Sequence, residues 1–350
     1  MTLISLTEDF DSNVPTPIEL QKTIPLKEKS AAFIKKTRLS IRNILNGLDK
    51  RKILIVGPCS IHDLPSALEY ARYFKELAEE VSNEFLMIMR AYFEKPRTIH
   101  GWKGLIYDPN LDGSYNLSKG IQLTRAFLAK LADMGVPAGS EFLEITTTQY
   151  YVDLLSWGCI GARTVTSPPH RQLAASLELP IGFKNPIDGC IDHAIHGMIA
   201  SGTPHVFLGL SLSGRITRIQ SNGNKLCHLI VRGGYNGPNY AREILIKASE
   251  QCKKAGVCNK ILVDCSHDNC EKQTFNQLLV FQKIINQILQ GNENIIGLMV
   301  ESYLHAGSQP ISSNLDYGIS ITDPCLDWEN TRKIILEAYH QIRSHSFTSV

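Results

Sequence analysis

Residues 53–63 read ILIVGPCSIHD, an apolar β-branched run that breaks at Gly57-Pro58 and then presents Cys59. A strand that ends in chemically active side chains is typical of two α/β folds, a closed parallel barrel and an open doubly wound sheet. The nucleotide-binding form of the open sheet needs a G-x-G-x-x-G turn after its first strand, and VGPCSIHD lacks that spacing. The stretch therefore favours a closed barrel.

The rest of the chain repeats this pattern, because short β-rich runs alternate with amphipathic stretches such as SALEYARYFKELAEEV. The runs are KILIVG (52–57), FLMIMRA (85–91), VPAGSEF (136–142), CIGARTV (159–165), PIGFKN (180–185), HVFLGL (205–210), KILVDCSH (260–267) and IIGLMVES (295–302). Roughly eight strand–helix units over about 250 residues predict a (β/α)8 TIM barrel. GRITRIQSNGNKLCHLIVRGG (214–234) reads as strand, Asn-Gly turn, strand, which predicts a β-hairpin inserted between the sixth and seventh units.

The ends of the chain differ in character from this alternation. Residues 1–25 are polar and contain Pro15, Pro17 and Pro25, so we expect an N-terminal arm rather than a domain. Residues 26–48 place apolar side chains at mostly helical spacing and predict a helix that stops near Gly47. We therefore expect one catalytic domain over 26–350, with the hairpin insertion near 211–234. Because the arm is too short to fold alone, we expect it to pack on a neighbouring copy in a homodimer or homotetramer.

Composition excludes several classes of protein. The formal net charge is +2, so no global field favours nucleic acid or an anionic membrane. The N-terminus has no basic region followed by a long apolar core, and no window approaches the ~20 apolar residues of a membrane span. Nine cysteines in 350 residues do not form a dense disulfide framework, so we expect a cytoplasmic protein with reduced thiols.

Ionisable residues cluster at the predicted strand ends, where barrel enzymes carry their chemistry. Cys59, His267 and Glu301 at these ends, with Asp323 soon after the last strand, offer a soft thiolate, an imidazole and two carboxylates. Each side chain alone is more often structural, as a buried thiol, a satisfied histidine or a helix cap. Their joint placement at strand ends predicts a site for a divalent transition metal.

A second group at the same end is cationic: Arg90, Lys95, Arg97, Lys103, Arg163, Lys184 and Arg232. A single surface cation usually contacts only water, and this interpretation fits Lys103 best. It fits Arg163 and Lys184 worst, because both lie inside the apolar runs CIGARTV and PIGFKN. Buried cations need anionic partners, and arginine suits phosphate and carboxylate. Their convergence predicts a substrate with several negative charges, such as a small phosphorylated acid or sugar.

Together these stretches resemble the metal-dependent, feedback-regulated type I 3-deoxy-D-arabino-heptulosonate-7-phosphate (DAHP) synthases. The motifs are GPCSIHD, MRAYFEKPRT, GWKGL, GSEFL, GARTV, GFKN, RGG, DCSH, MVES and SITDPC, in order from about residue 26 to 340. KPRT is the most diagnostic, because the sister octulosonate-phosphate synthases carry a Lys-Ala-Asn-Arg motif there.

The resemblance implies that the protein condenses phosphoenolpyruvate with erythrose 4-phosphate and releases phosphate, which opens the shikimate pathway. It implies a divalent Mn, Fe, Co or Zn ion on Cys59, His267, Glu301 and Asp323. It places phosphoenolpyruvate on Arg90, Lys95, Arg163, Lys184 and Arg232, and the aldose phosphate on Lys95, Arg97 and Thr98, with Lys103 nearby. Lys95, Glu141, Lys184 and Asp323 are the catalytic candidates that it implies.

Regulation is less well marked than catalysis in the sequence. In relatives the hairpin and the N-terminal arm form the pocket for an aromatic amino-acid effector. Here the hairpin lacks the tryptophan that many inhibited members carry near Ser213, so the effector's identity stays open.

Three other functions compete with this interpretation. The first is a sister synthase that uses another aldose phosphate, which KPRT argues against. The second is a Schiff-base aldolase that uses Lys184 as its nucleophile. The third is a non-catalytic sensor of sugar phosphates, which would be expected to have lost some of these residues.

Overall fold

Eight parallel strands close into a barrel in the computed structural model, which describes residues 14–97 and 100–348. The barrel strands are β1 (Lys52–Gly57), β2 (Phe85–Arg90), β3 (Ala138–Glu141), β4 (Trp157–Ile160), β5 (Ile181–Lys184), β8 (Cys227–Val231), β9 (Ile261–Asp264) and β10 (Ile295–Glu301). β1 pairs in parallel with both β2 and β10, which closes the ring. The predicted TIM barrel is confirmed.

Helices surround this barrel and connect its strands. They are α1 (Pro17–Thr23), α2 (Glu28–Leu45), α3 (Leu64–Glu80), α4 (Leu117–Met134), α5 (Pro168–Ser176), α6 (Ile191–Ser201), α7 (Arg242–Lys254), α8 (Asn276–Leu289) and α9 (Trp328–Thr348). After β3, two short 3-10 turns, Thr147–Tyr150 and Val152–Leu154, take the place of a helix. The helix predicted over 26–48 is confirmed as α2.

The core has two layers that follow the alternation of side chains along each strand. In β1, Ile53 and Ile55 belong to the cluster that includes Trp157, while Leu54 and Val56 belong to the cluster under the outer helices. Successive side chains on a strand point to opposite faces, so one face fills the barrel and the other packs on helices. A strand buried on both faces reads as a continuous apolar run, as KILIVG does.

α2 closes the N-terminal end of the barrel. Its Ile41 and Ile44 are 0% and 3% exposed and belong to the same cluster as Ile53. Burial of each such side chain is worth about 1.5–3 kcal/mol. Because α2 covers this end, the cavity for chemistry lies at the opposite end, where the strands have their carboxyl termini.

The inserted hairpin exists, but its predicted strands and position are wrong. β6 (His205–Leu210) pairs antiparallel with β7 (Ile216–Ser221) in a separate two-stranded sheet. The sixth barrel strand is β8, so the hairpin lies between the fifth and sixth units rather than between the sixth and seventh. β8 is buried along its whole length, whereas β6 alternates exposed and intermediate residues. Burial on both faces, which apolar content alone does not reveal, distinguishes the barrel strand.

The described part of the predicted arm carries α1, and residues 1–13 lie outside the described part of the chain. Thr16 and Glu19 form a capping box at the start of α1. The Ile18 amide donates a hydrogen bond of 2.9 Å to the Leu212 carbonyl, which lies between β6 and β7. Arg125, which is 1% exposed, donates to the Ile24 carbonyl at 2.8 Å. The arm is therefore tied both to the hairpin and to the barrel.

Candidate active site

The carboxyl ends of the barrel strands surround a cavity of about 300 Å³. The predicted site residues that line it are Arg90, Lys95, Arg97, Glu141, Arg163, Lys184, Arg232, His267, Glu301 and Asp323. Cys59 lies beside this cavity and donates from Sγ to Asp323 Oδ2 at 3.4 Å. Lys103 lines a neighbouring cavity of about 900 Å³ that shares Lys95, Arg97 and Arg163 with the first. Thr98 lies outside the described residues.

Three of the four predicted metal ligands form one compact cluster. The ligand atoms of Cys59, Glu301 and Asp323 all lie within 4.8 Å of one another. His267 Nε2 is 4.0 Å from Glu301 Oε1, so this imidazole nitrogen faces the same cluster. A thiolate, an imidazole and two carboxylates suit a divalent transition metal such as zinc, iron, cobalt or manganese. The residues present therefore fit a metal of this class.

The backbone of one member of this set is strained. His267 has φ of +59°, in the left-handed region that a side chain other than glycine rarely adopts. Glu271 and Lys272, in the same loop between β9 and α8, have φ of +53° and +59°. Such conformations cost of order 1–3 kcal/mol each and cluster at functional sites. The strain marks this loop as one that holds a side chain for a purpose other than packing.

Burial and the charges around Cys59 determine whether its sulfur is a thiol or a thiolate. Burial raises the pKa of the Cys59 thiol to about 12, the Glu301 carboxylate adds to the rise, and Lys95 opposes it. Lys95 Nζ lies 3.0 Å from Cys59 Sγ. Burial by itself would raise the pKa of Asp323, but Lys95 and His267 outweigh it and the pKa lies below 3.8. Cys59 therefore keeps its proton until a cation displaces it, while Asp323 is already ionised.

Arg90, at the end of β2, is a buried cation with unused hydrogen-bonding capacity. It is 1% exposed, and its Nη2 donates to Glu301 Oε1 at 2.9 Å. Its guanidinium carbon lies 4.2 Å from the centre of the Tyr92 ring. Nη1 has no hydrogen-bond partner among the described residues. A buried, unpartnered donor on a cation at the cavity wall is suited to an anionic ligand.

Lys184, the last residue of β5, lies between two carboxylates. Its Nζ is 3.2 Å from Asp264 Oδ2 and 3.8 Å from Glu141 Oε2. Burial would lower the pKa of Lys184, but Asp264 and Glu141 raise it above its usual value. Lys184 is therefore an ammonium that donates hydrogen bonds. A Cβ on Gly161 would collide with Glu141 Oε1, so the glycine of GARTV gives this carboxylate its room.

Arg232 follows β8 and is fixed from two sides. Its Nη1 donates to Asp268 Oδ2 at 2.6 Å, and its backbone amide donates to Asn185 Oδ1 at 2.9 Å. Asn185 also accepts from Asn239 Nδ2 at 3.1 Å, and the Asn239 amide donates to Asn269 Oδ1 at 2.9 Å. These buried amides join the ends of β5, β8 and β9, so they hold neighbouring cations in one arrangement.

The structure corrects one placement and adds partners that sequence reasoning missed. Arg163 does not lie inside an apolar strand, because β4 ends at Ile160 and Arg163 is exposed in the turn beyond it. The missed partners are Tyr92, Asp264 and Asp268. Asp264 was visible as an acid at a strand end, but nothing in the sequence showed that it contacts Lys184. Tyr92 lies within MRAYFEKPRT and Asp268 follows DCSH, but neither position in the sequence indicates which residue its side chain contacts.

Fold and site together define a class of protein, a (β/α)8-barrel enzyme with a cation-lined cavity for small anionic substrates. The profile of the DAHP synthetase I family matches residues 19–336. The chain is 43% identical over 330 residues to the Tyr-sensitive phospho-2-dehydro-3-deoxyheptonate aldolase of Escherichia coli K12, covering 93% of this chain and 92% of that protein. The chain therefore belongs to the DAHP synthetase I family, as its motifs predicted.

Two further comparisons agree with this assignment. The Trp-sensitive phospho-2-dehydro-3-deoxyheptonate aldolase of the same E. coli strain is 44% identical over 322 residues, covering 91% of this chain and 92% of that protein. The solved phospho-2-dehydro-3-deoxyheptonate aldolase of Francisella tularensis SCHU S4 has a TM-score of 0.94 and 41% identity, covering 97% of this chain and 99% of that one. Among the described residues, no helix is long and apolar enough to cross a membrane.

Proposed function

We propose that this chain condenses phosphoenolpyruvate with D-erythrose 4-phosphate and water to give DAHP and inorganic phosphate. Family membership supports the reaction, and one observation in the site carries it. Three buried cations, Arg90, Lys184 and Arg232, converge on one cavity beside a cluster of metal-ligand type. Their combined charge matches a substrate that carries a carboxylate and a phosphate.

In this proposal, Arg90, Lys184, Arg232 and the exposed Arg163 hold phosphoenolpyruvate. The unpartnered Nη1 of Arg90 is available to the ligand, while Nη2 stays on Glu301. Asp268 and Asn185 fix Arg232 before the ligand arrives, so binding orders few side chains. Preorganised cations hold the reacting enol in place and convert a bimolecular encounter into a nearly unimolecular step.

The second phosphate belongs on the outer side of the cavity. Arg97 and Lys103 are exposed and line the neighbouring cavity of about 900 Å³. Arg97 Nε donates to the Trp102 carbonyl at 2.9 Å, and among the described residues the rest of its guanidinium has no hydrogen-bond partner and can bind a ligand. We assign this side to the phosphate of the aldose, together with Lys95, which borders both cavities. Thr98 follows them in KPRT.

Cys59, His267, Glu301 and Asp323 would hold a divalent Mn, Fe, Co or Zn ion. Such an ion supplies Lewis-acid polarisation of an oxygen on which negative charge develops. The thiolate makes Mg²⁺ or Ca²⁺ alone a poor occupant, because both prefer an all-oxygen set.

Side chains of this chain perform the other tasks of the reaction. A bond forms between the methylene carbon of the enol and the aldehyde carbon, water adds to the enol's other carbon, and the bond to phosphate breaks. Lys95, which lies beside Cys59, is placed to donate to the aldehyde oxygen. Glu141 stabilises positive charge at the carbon that water attacks and accepts a proton from that water. Lys184 stays protonated and donates to phosphoenolpyruvate, while the Asp323 carboxylate borders the aldehyde.

Regulation by an aromatic amino acid is part of the proposal. A cavity of about 260 Å³ lies between the hairpin and α5, with Leu173, Phe207 and Ile219 among its apolar walls and Gln149 and Ser176 among its polar groups. This chemistry suits an aromatic ring with a polar backbone. Relatives named Tyr-sensitive and Trp-sensitive match this chain almost equally, so identity alone does not choose the effector.

Self-association and a reducing compartment complete the proposal. On the outer face of the hairpin, Val206, Leu208 and Ile216 are 58%, 75% and 78% exposed. Adjacent exposed apolar side chains of this kind mark an interaction surface, which supports a homodimer or homotetramer.

The nine cysteines are all unpaired, which fits the cytoplasm.

The test is phosphate release from phosphoenolpyruvate, with erythrose 4-phosphate against other aldose phosphates, before and after chelation. We expect turnover with erythrose 4-phosphate, loss on chelation, and recovery with Mn²⁺, Fe²⁺ or Co²⁺. Full turnover in metal-stripped protein would contradict the metal assignment. Higher activity with another aldose phosphate would favour a sister synthase. Borohydride should not trap the aldehyde of erythrose 4-phosphate on Lys184, because the raised pKa keeps this amine protonated.

A further inference from the structure

Asp264, the last residue of β9, contacts both a predicted metal ligand and a predicted substrate cation. Its side chain is 0% exposed. Oδ2 lies 3.2 Å from Lys184 Nζ and 3.0 Å from His267 Nδ1. Oδ1 accepts hydrogen bonds from Ser266, at 3.0 Å from the backbone amide and 2.6 Å from Oγ. All of these partners belong to the candidate active site or flank its ligand.

Hydrogen positions in this group follow from the chemistry of each partner. An ionised carboxylate has only acceptors, so the Ser266 hydroxyl must donate its hydrogen to Asp264 Oδ1. Ser266 Oγ lies 2.8 Å from His267 Nδ1. Because the serine hydrogen is already committed to Asp264, Oγ can only accept from the histidine. Nδ1 of His267 therefore carries a proton, and in the neutral ring the lone pair lies on Nε2, which is 4.0 Å from Glu301 Oε1.

We infer that Asp264 is a positioning residue with two tasks. Through Ser266 and through its own contact with Nδ1 it sets the His267 tautomer that leaves Nε2 free to ligate a metal. By direct contact it also holds the Lys184 ammonium. This inference rests on the proposed function, because it assigns the metal to His267 and phosphoenolpyruvate to Lys184. One buried carboxylate thereby links the metal site to the substrate site.

A purely structural role does not account for this carboxylate. Burial of an ionised group costs several kcal/mol unless partners compensate it. The partners given above for the Asp264 side chain are Ser266, His267 and Lys184, all of them polar residues that line or flank the candidate site. The backbone carbonyl of Asp264 accepts a separate hydrogen bond, from Asn269 Nδ2 at 2.8 Å. The side chain therefore acts on the site rather than on the strand that carries it.

The experiment compares three variants of the full chain. Asp264→Asn weakens both tasks. Ser266→Ala weakens only the task at His267, where the direct contact between Asp264 Oδ2 and His267 Nδ1 at 3.0 Å remains. Asp153→Asn is a control, because it weakens the ion pair that the half-buried Asp153 makes with the buried Arg125 (Nη1 to Oδ1, 2.8 Å) outside the site. Calorimetric titration of metal-stripped protein with Mn²⁺ measures metal affinity without any substrate. The KM for phosphoenolpyruvate is then measured at saturating Mn²⁺.

Mn²⁺ affinity should fall about 10- to 100-fold in Asp264→Asn, as for other partners of metal-ligating histidines, and by a smaller factor in Ser266→Ala. KM for phosphoenolpyruvate should rise roughly tenfold in Asp264→Asn but less than about twofold in Ser266→Ala. Asp153→Asn should lower the unfolding temperature and leave both quantities within about twofold of the parent. Parental Mn²⁺ affinity in Asp264→Asn, or equal KM values in the two site variants, would overturn the inference.

A spectroscopic measurement covers the case in which Asp264→Asn fails to fold. The imidazole ¹⁵N shifts of the metal-free parent at pH 8, with His267→Gln to assign the signal, report the tautomer directly. A protonated Nδ1 is the expected result, and a protonated Nε2 would refute the inference. Neither this measurement nor the Mn²⁺ titration needs turnover, so failure of the proposed reaction and failure of this inference are distinguishable.

Discussion

The backbone amide of Cys59 donates a hydrogen bond to the thiol of Cys325, with 3.3 Å between nitrogen and sulfur. The two residues are 266 positions apart, and both side chains are 0% exposed. An antiparallel bridge between Gly307 and Cys325 holds the second thiol in place. A proposed metal ligand therefore has a second thiol as its neighbour.

We expect metal-stripped protein to inactivate in air through a Cys59–Cys325 disulfide, with dissolved oxygen as the oxidant. The thiolate is the reactive form, and burial raises the pKa of Cys59 to about 12. Inactivation should therefore be slow at neutral pH and accelerate about tenfold for each pH unit between 7 and 9. Peptide mapping of aerated protein identifies the bridge, and reductant with metal should restore activity.

Cys325→Ser is the matched variant for this oxidation, because it keeps the size of the side chain and removes the sulfur. It should resist inactivation. If it loses activity as fast as the parent, the disulfide is not the cause. Cys258, a half-buried cysteine, serves as the control position. Cys258→Ser should inactivate at the parental rate.

The proposed division of the cations between the two substrates predicts separable effects. Lys184→Ala and Arg163→Ala should chiefly raise the KM for phosphoenolpyruvate, and Arg97→Ala should chiefly raise the KM for erythrose 4-phosphate. A hydrogen bond to a charged group is worth about 1.5–3 kcal/mol, which corresponds to about 10- to 150-fold. Steady-state kinetics with each substrate varied in turn measures the split.

The control for these variants is Lys283→Ala, an exposed lysine over the Tyr240 ring and away from both cavities. It should leave both KM values unchanged. Equal effects on both KM values from all three site variants would contradict the division.

Local sequence pattern was enough for the barrel but not for its sixth strand. HVFLGL and CHLIV are both short and apolar, and only CHLIV is buried on both faces. Which run enters the barrel depends on whether helices cover its outer face, and a single strand does not encode that. The same limit explains Arg163, because the end of β4 at Ile160 is set by pairing with β5.

Residues of the candidate site were found because strand ends in a parallel barrel meet at one face. That rule identified Glu141 and Lys184 as site residues although the sequence shows no contacts between side chains. It did not reveal that Asp264 lies between Lys184 and His267, because contacts across the barrel depend on register and rotamer. Asp323 lies in the loop after β10, so its ligand chemistry and its family motif, rather than a strand end, predicted its place beside Cys59.

His228 predicts a loss of stability in acid that is independent of the active site. Burial lowers the pKa of this imidazole from 6.5 to about 4, although its hydrogen bond to Leu226 opposes the shift. Nε2 accepts from Trp157 Nε1 at 3.1 Å, which requires the neutral ring. Above pH 6.5 the group contributes no pH dependence. As pH falls from 6.5 to 4, His228 takes up a proton in the unfolded chain but stays neutral in the folded chain. The free energy of unfolding therefore falls by about 3 kcal/mol.

His228→Gln tests this prediction, because an amide can accept from Trp157 and does not titrate. Urea unfolding at pH 7, 5.5 and 4.5 gives the free energy of unfolding for the parent and the variant. If the glutamine packs less well than the histidine, the variant has a lower free energy of unfolding at pH 7. The decrease in this free energy between pH 7 and 4.5 should nevertheless be smaller in the variant than in the parent. Parallel losses in both proteins would show that other groups dominate acid unfolding.

Contact between the arm and the hairpin predicts that effector binding depends on the arm. The Ile18 amide donates to the Leu212 carbonyl at 2.9 Å, and none of residues 14–25 lines the catalytic cavity. Deletion of residues 1–25 should therefore raise the concentration of aromatic amino acid needed for half-inhibition at least about tenfold. Turnover without effector should stay within about threefold of the parent.

A finer variant removes only this connection. Ile18→Pro deletes the amide hydrogen, and the first turn of a helix tolerates proline because its amides have no partner within the helix. The chain already begins α5 with Pro168-Pro169, so Pro17 followed by proline has a precedent. Ile18→Ala keeps the amide and controls for loss of the side chain. Ile18→Pro should weaken inhibition more than Ile18→Ala does, with turnover retained in both. Inhibition at the parental concentration in both Ile18→Pro and the deletion would refute the role of the arm.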